Sequence, residues 1–157
     1  RLGLNFDLAE FAKHFVLVYT GRPHHSGLNN WQIFKNHIDS DKQTFNSFEK
    51  LKVVANKMRE ACEKQQWESF GRLFDEEYGA RTEISKVFTS PEIERLKKVS
   101  SEFGAESVKI CGAGGGGCVF LWCAPKMRDE VERKCQQAGF QVLKAKPTRV
   151  GLEIKTS

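Results

Sequence analysis

Residues 109–122 read Lys-Ile-Cys-Gly-Ala-Gly-Gly-Gly-Gly-Cys-Val-Phe-Leu-Trp, and five of them are glycine: Gly112, Gly114, Gly115, Gly116 and Gly117. Glycine has no Cβ, so its backbone reaches positive φ cheaply and lets another group approach closely. Ordering so many glycines carries a high entropic cost. A folded domain that keeps this run uses bare backbone there. The successive N–H groups of such a loop, with Ala113 among them, form a nest suited to anionic oxygen, phosphate above all.

Spacing alone allows three readings. Gly112-x-Gly114-x-x-Gly117 has the spacing of a dinucleotide fingerprint, but that motif opens a helix. Here Cys118-Val-Phe-Leu-Trp122 follows, which is apolar, aromatic and β-branched and reads as a strand. Gly112 and Gly117 also match the nucleoside-triphosphatase phosphate loop, yet Cys118 and Val119 stand where Lys and Ser/Thr belong. The third reading is strand, glycine loop, strand. Its bland alternative is a flexible hairpin that binds nothing, although short hairpin loops need only one or two such glycines.

A second cluster lies between a buried strand and a helix: Arg22, His24, His25, Ser26, Asn29 and Asn30. Arginine grips phosphate or carboxylate in a bidentate fork, and Ser and Asn can hold sugar hydroxyls. This is the candidate acceptor-binding loop. The alternative is a surface loop in which Ser26 or Asn29 caps the following helix. His24 and His25 do not make a metal site without a third ligand, and the sequence suggests none.

The elements that must position these groups follow from periodicity. Residues 14–19 are almost continuously apolar and suit a buried strand. Residues 28–38 read as a short helix with Trp31, Phe34 and Ile38 on one side. Residues 42–64 form an amphipathic helix through Phe45, Phe48, Leu51, Ala55, Met58 and Cys62. Residues 67–85 repeat the pattern with Trp67, Phe70, Phe74 and Tyr78, an aromatic stripe read as core. Ser90 is an N-cap with Pro91 at the first helical position, and Ile93, Leu96, Val99 and Phe103 face one side up to Gly104. Residues 107–111 and 118–122 are the strands around the glycine loop. A helix through Met127, Val131, Cys135 and Ala138 stops at Gly139, and residues 140–143 and 150–154 are the last strands. Residues 1–13 form a lead-in with no clear signal. This order predicts an α+β sandwich: a mostly antiparallel sheet with helices packed on one face.

Composition narrows the classes. A chain of 157 residues is read as a single domain, and 29% charged against 39% hydrophobic residues argues for a globular core. No apolar run approaches a membrane span and no signal peptide is visible, which points to the cytoplasm. Five cysteines without a CxxC pair read as reduced thiols. Cys111 and Cys118 flank the loop and are read as small apolar residues rather than a bridge. The net charge is +5, and after residue 124 eight Lys/Arg face four Asp/Glu. These charges are mixed and lack interleaved aromatics, so a solvated surface is preferred over nucleic-acid binding.

Cys111-Gly-Ala-Gly-Gly-Gly-Gly-Cys-Val-Phe120 resembles the C-terminal glycine motif of the GHMP small-molecule kinases. Tyr19-Thr-Gly-Arg-Pro-His-His-Ser-Gly-Leu-Asn-Asn-Trp31 and Thr89-Ser-Pro-Glu-Ile-Glu-Arg-Leu96 are similar to segments of the sugar and heptose-phosphate kinase branch. The resemblance covers only the C-terminal half of such a kinase, and Arg1 rather than Met at the start suggests an excised domain. It implies a ferredoxin-like fold and a role in ATP-dependent phosphorylation of a hydroxyl on a sugar or sugar phosphate. In that family ATP and Mg²⁺ are bound mainly by an N-terminal domain whose phosphate loop and catalytic Asp have no counterpart here. The expected partners are therefore that domain, ATP and the acceptor, with no catalytic residue in this chain. The rival reading is a ferredoxin-like module that senses a small anion and catalyses nothing.

Overall fold

β1 (Phe15–Tyr19) runs through the middle of a four-stranded sheet in the computed structural model, which describes residues 3, 5–23 and 27–151. The other strands are β2 (Ala105–Ile110), β3 (Cys118–Cys123) and β4 (Gln141–Leu143), in the spatial order β2-β3-β1-β4. Every pairing is antiparallel; Val16 lies opposite Leu121 and Val18 opposite Val119. Between β1 and β2 the chain makes α2 (Gly27–Ile38), α3 (Lys42–Glu63), α4 (Phe70–Ile84) and α5 (Pro91–Glu102). Between β3 and β4 it makes α6 (Arg128–Gln137). This is the ferredoxin-like α+β sandwich expected, with four helices rather than one between β1 and β2.

Strand alternation divides the core. Val16 and Val18 of β1, Val108 and Ile110 of β2, and Val119 and Leu121 of β3 point to one face, where α5 brings Ile93 and Leu96 and α6 brings Val131 and Cys135. The other residues of the same strands build an aromatic layer on the opposite face. There Phe15 stacks on Phe120 with centroids 4.8 Å apart, and Trp122 lies between Phe70 at 5.1 Å and His14 at 4.7 Å. Aromatic rings bury large areas, and offset stacking adds to that burial. Both faces are thus covered, where helices on one face alone were expected: the end of α3, the start of α4 and α1 (Leu8–Ala12) cover the second.

Local signals set several boundaries. Ser90 accepts from the Ile93 amide at 3.3 Å with Pro91 opening α5. Gly104 and Gly139 take the positive φ that ends α5 and α6. Asp41 accepts from the Thr44 amide at 2.8 Å and starts α3.

Other expectations need correction. The 1–13 lead-in contains α1, capped by Asp7. The aromatic segment from residue 67 begins as a 3-10 turn, Trp67–Ser69, and α4 ends at Ile84. On α3 the buried set is Thr44, Ser47, Val54, Ala61 and Cys62, while Phe45 and Ala55 are exposed. On α2 the buried residue is Ile33, whereas Trp31, Phe34 and Ile38 are 70%, 59% and 75% exposed. Spacing shows which residues share a face, but not whether anything covers it. Of the strand expected at 150–154, Val150 and Gly151 are not extended into a ladder, and 152–154 lie outside the described residues. No described helix is long and apolar enough to cross a membrane.

Candidate functional site

The glycine loop joins β2 to β3 and is clamped from two sides. On one side the chain leaving β1 reaches it: Thr20 donates to the Gly117 carbonyl through both its amide and its Oγ1, each at 2.9 Å. The Gly117 amide returns a bond to the Arg22 carbonyl at 2.7 Å. On the other side the 3-10 turn Lys86–Phe88 offers the Phe88 carbonyl to the Gly115 amide at 3.0 Å. The five loop glycines all have positive φ. At Gly114 the φ of +82° coincides with crowding, because a Cβ would stand 2.7 Å from the Phe88 carbonyl oxygen. At Gly116 a Cβ would stand 2.7 Å from the Arg22 carbonyl oxygen. The run is required by a packed backbone junction, which a plain flexible hairpin would not need.

A cavity of about 420 Å³ opens beside the first half of this loop, within the usual size range of small-molecule sites, about 300–1,000 Å³. Gly112 and Ala113 form part of its wall, with Asn30, Ile33 and Phe34 from α2, Phe48 and Leu51 from α3, and Arg81, Ile84 and Phe88 beyond. Among the described residues its wall is apolar apart from Asn30, Arg81 and the loop backbone.

Arg81 is the group that sequence reasoning missed. Its Nε and Nη2 donate to Glu77 Oε1 at 2.9 and 2.6 Å, and its Nη1 reaches the Gly112 carbonyl at 3.4 Å. Lys109 of β2 meets the same Glu77 oxygen at 3.0 Å. Glu77 is buried, and its Oε2 has no partner. Glu77 and Arg81 are readable in sequence as an i,i+4 pair, but such pairs usually lie on the surface, and burial is invisible in a linear pattern.

The second cluster divides. Arg22 is exposed and meets Glu92 in the first turn of α5 at 3.3 Å; its side chain is not part of the cavity wall. Asn30 lines the cavity. Asn29 sits inside the first turn of α2, so it is not the cap. His24, His25 and Ser26 lie outside the described residues. All five cysteines are free thiols. Burial pushes the Cys111 thiol above its ordinary range, with Lys109 pulling the other way. Such a thiol is protonated at neutral pH and is no nucleophile. Among the described residues no three His, Cys, Asp or Glu side chains come together as metal ligands.

The sheet order and the glycine hairpin define this chain as a ferredoxin-like α+β domain. Residues 58–141 match the family model for the GHMP kinases C terminal, more than half of the chain. The chain belongs to that family. It is 28% identical over 85 residues to D-glycero-alpha-D-manno-heptose 7-phosphate kinase of Campylobacter jejuni, a match covering 54% of the chain and 25% of that relative. It is 26% identical over 145 residues to the Arabidopsis thaliana protein named Probable glucuronokinase 2, covering 89% of the chain and 39% of the relative. The fold is also that of L. major mevalonate kinase in complex with R-mevalonate, with a TM-score of 0.70 and 19% identity over 79% of this chain and 38% of that one. The chain thus spans well under half the length of these relatives.

Proposed function

We propose that this domain is the C-terminal half of an ATP-dependent kinase that phosphorylates a hydroxyl of a sugar or sugar phosphate. The observation that carries the reading is the clamped glycine loop, which presents Gly112 and Ala113 to a cavity instead of turning freely in solvent. The two relatives named for acting on a heptose phosphate and as a glucuronokinase support the sugar branch. ATP supplies the transferred phosphoryl group. This chain's part is to shape and close one wall of the site. The amides of Gly115 and Gly117 are already bonded within the protein, so the loop would meet an anion through residues 112–114 and 116. Among the described residues the cavity wall contains no carboxylate, so these residues do not fit Mg²⁺. Its ligands belong to the N-terminal domain.

That domain is the natural cover for the exposed apolar side of α2, which carries Trp31, Phe34 and Ile38. Exposed apolar patches of this kind mark interaction surfaces. We place the assembled enzyme in the cytoplasm, with no nucleic-acid or membrane partner. The test is a coupled assay on the full-length protein with Mg-ATP and a panel of sugars and sugar phosphates, run beside the 157-residue chain. Turnover by the full-length protein and none by the chain is expected. Full-length protein inactive on the whole panel would favour the anion-sensing module.

A further inference from the structure

The cluster of buried Glu77 with half-buried Arg81 and Lys109 has an imbalance that the fold does not need. Two cations share one carboxylate, and all three donors converge on Oε1 while Oε2 stays unpartnered. A pair kept only for stability would use both oxygens, since an unmet buried acceptor is costly. Lys109 also donates to the Ile110 carbonyl at 3.1 Å. Two cations against one carboxylate leave a net positive charge, and Arg81 is the one of the two that lines the cavity. Its guanidinium is anchored through Nε and Nη2, lies over the Phe88 ring at 5.4 Å, and has only a long 3.4 Å contact from Nη1. Arg81 lines the cavity, and among the described residues the other side chains there, Asn30 apart, are apolar.

We propose that this cavity is a binding site for a small amphiphilic anion, with Arg81 gripping a carboxylate or phosphate head and Ile33, Phe34, Leu51 and Ile84 holding an apolar body. Glu77 is a positioning residue: it fixes the guanidinium plane so that the free N–H groups face the ligand. A fork held in advance loses little freedom on binding, and charge-assisted pairing with it is strong. The backbone of Gly112 and Ala113 closes the polar end. This site concerns the same cavity as the kinase reading but needs neither ATP nor turnover, so the two can fail separately.

Titration of the 157-residue chain, followed by amide chemical shifts, tests the proposal. The probes are hexanoate, hexyl phosphate, inorganic phosphate and hexan-1-ol. One or both of the amphiphilic anions should bind at least about tenfold tighter than hexan-1-ol and shift the Ile33, Ile84, Gly112 and Ala113 amides. The anion that binds tighter identifies the head group. Arg81→Gln should abolish that preference while leaving hexan-1-ol binding in place. Glu77→Gln should reduce the preference in the same way, which a role in stability alone would not do. If Arg81→Gln fails to fold, the double variant Glu77→Gln/Arg81→Gln removes the stranded carboxylate and takes its place. Hexan-1-ol binding as well as the anions, shifts elsewhere in the domain, or an anion preference that survives loss of Arg81 would overturn the site. Inorganic phosphate binding as tightly as hexyl phosphate would overturn its apolar half.

Discussion

The backbone of Gly114 lies directly against the backbone of Phe88. A Cβ on Gly114 would stand 2.7 Å from the Phe88 carbonyl oxygen and 2.8 Å from its Cα. The glycine loop and the turn before α5 are therefore one packed unit, and the loop cannot change residue type without moving that turn.

Gly114→Ala should destabilise the domain through both positive φ and this contact, by about 1–3 kcal/mol. Gly116→Ala should also destabilise it, because the new methyl meets the Arg22 carbonyl. Thermal melts of the chain decide the matter. Variants that melt at or above wild type would make the loop an ordinary connection and remove the main support for its role.

Gly79 offers the opposite case. It lies inside α4 with no positive φ, and a Cβ there would meet nothing within 4 Å. Gly79→Ala should raise stability by about 0.4–1 kcal/mol, since alanine loses less backbone entropy on folding. A chemical denaturation midpoint below wild type would contradict this.

Stability should fall on the alkaline side. Burial, followed by the bond to Glu94, pushes the Tyr78 hydroxyl up to about 12, and burial pushes the Cys123 and Cys135 thiols up to about 12 and about 11. The unfolded chain releases these protons first, thiols near 9 and phenol near 10. The stabilisation is whole below pH 9 and is lost progressively toward pH 12. Denaturant midpoints across this range should slope downward, and Tyr78→Phe should flatten the part above pH 10. An unchanged slope in that variant would assign the loss to other groups.

Removing the Ser90 hydroxyl tests the cap of α5. Ser90→Ala should cost about 0.5–2 kcal/mol, because the Ile93 amide loses its acceptor at a buried helix start. Urea unfolding with an unchanged midpoint would show that the cap carries no weight.

Arg22 separates structure from recognition. Its ion pair with Glu92 is exposed, so Arg22→Ala should leave the stability of the chain within about 0.5 kcal/mol of wild type. On the proposed kinase reading, an acceptor phosphate that displaces Glu92 as the partner of Arg22 would make the same change in the full-length protein raise the KM for the acceptor about tenfold or more and spare the KM for ATP, as loss of one charge-assisted contact does. An unaltered acceptor KM would leave Arg22 as a surface residue with a structural carbonyl.

The linear pattern determined much of this domain. The apolar runs at 14–19 and 118–122, the Ser90-Pro91 start, and the stops at Gly104 and Gly139 each depend on neighbours along the chain, so they are legible without tertiary information. The glycine run likewise declares that bare backbone is needed. Tertiary structure decided the rest, because burial and encounter are properties of segments far apart in sequence. It turned Trp31, Phe34 and Ile38 outward while Ile33 turned in. It brought the Phe88 and Arg22 carbonyls to the loop, explaining why the run is glycine. It buried Glu77 between Arg81 and Lys109, joining a helix to a strand that pairing rules alone could not connect. A one-dimensional pattern records which side chains share a face; only the packed chain determines what that face meets.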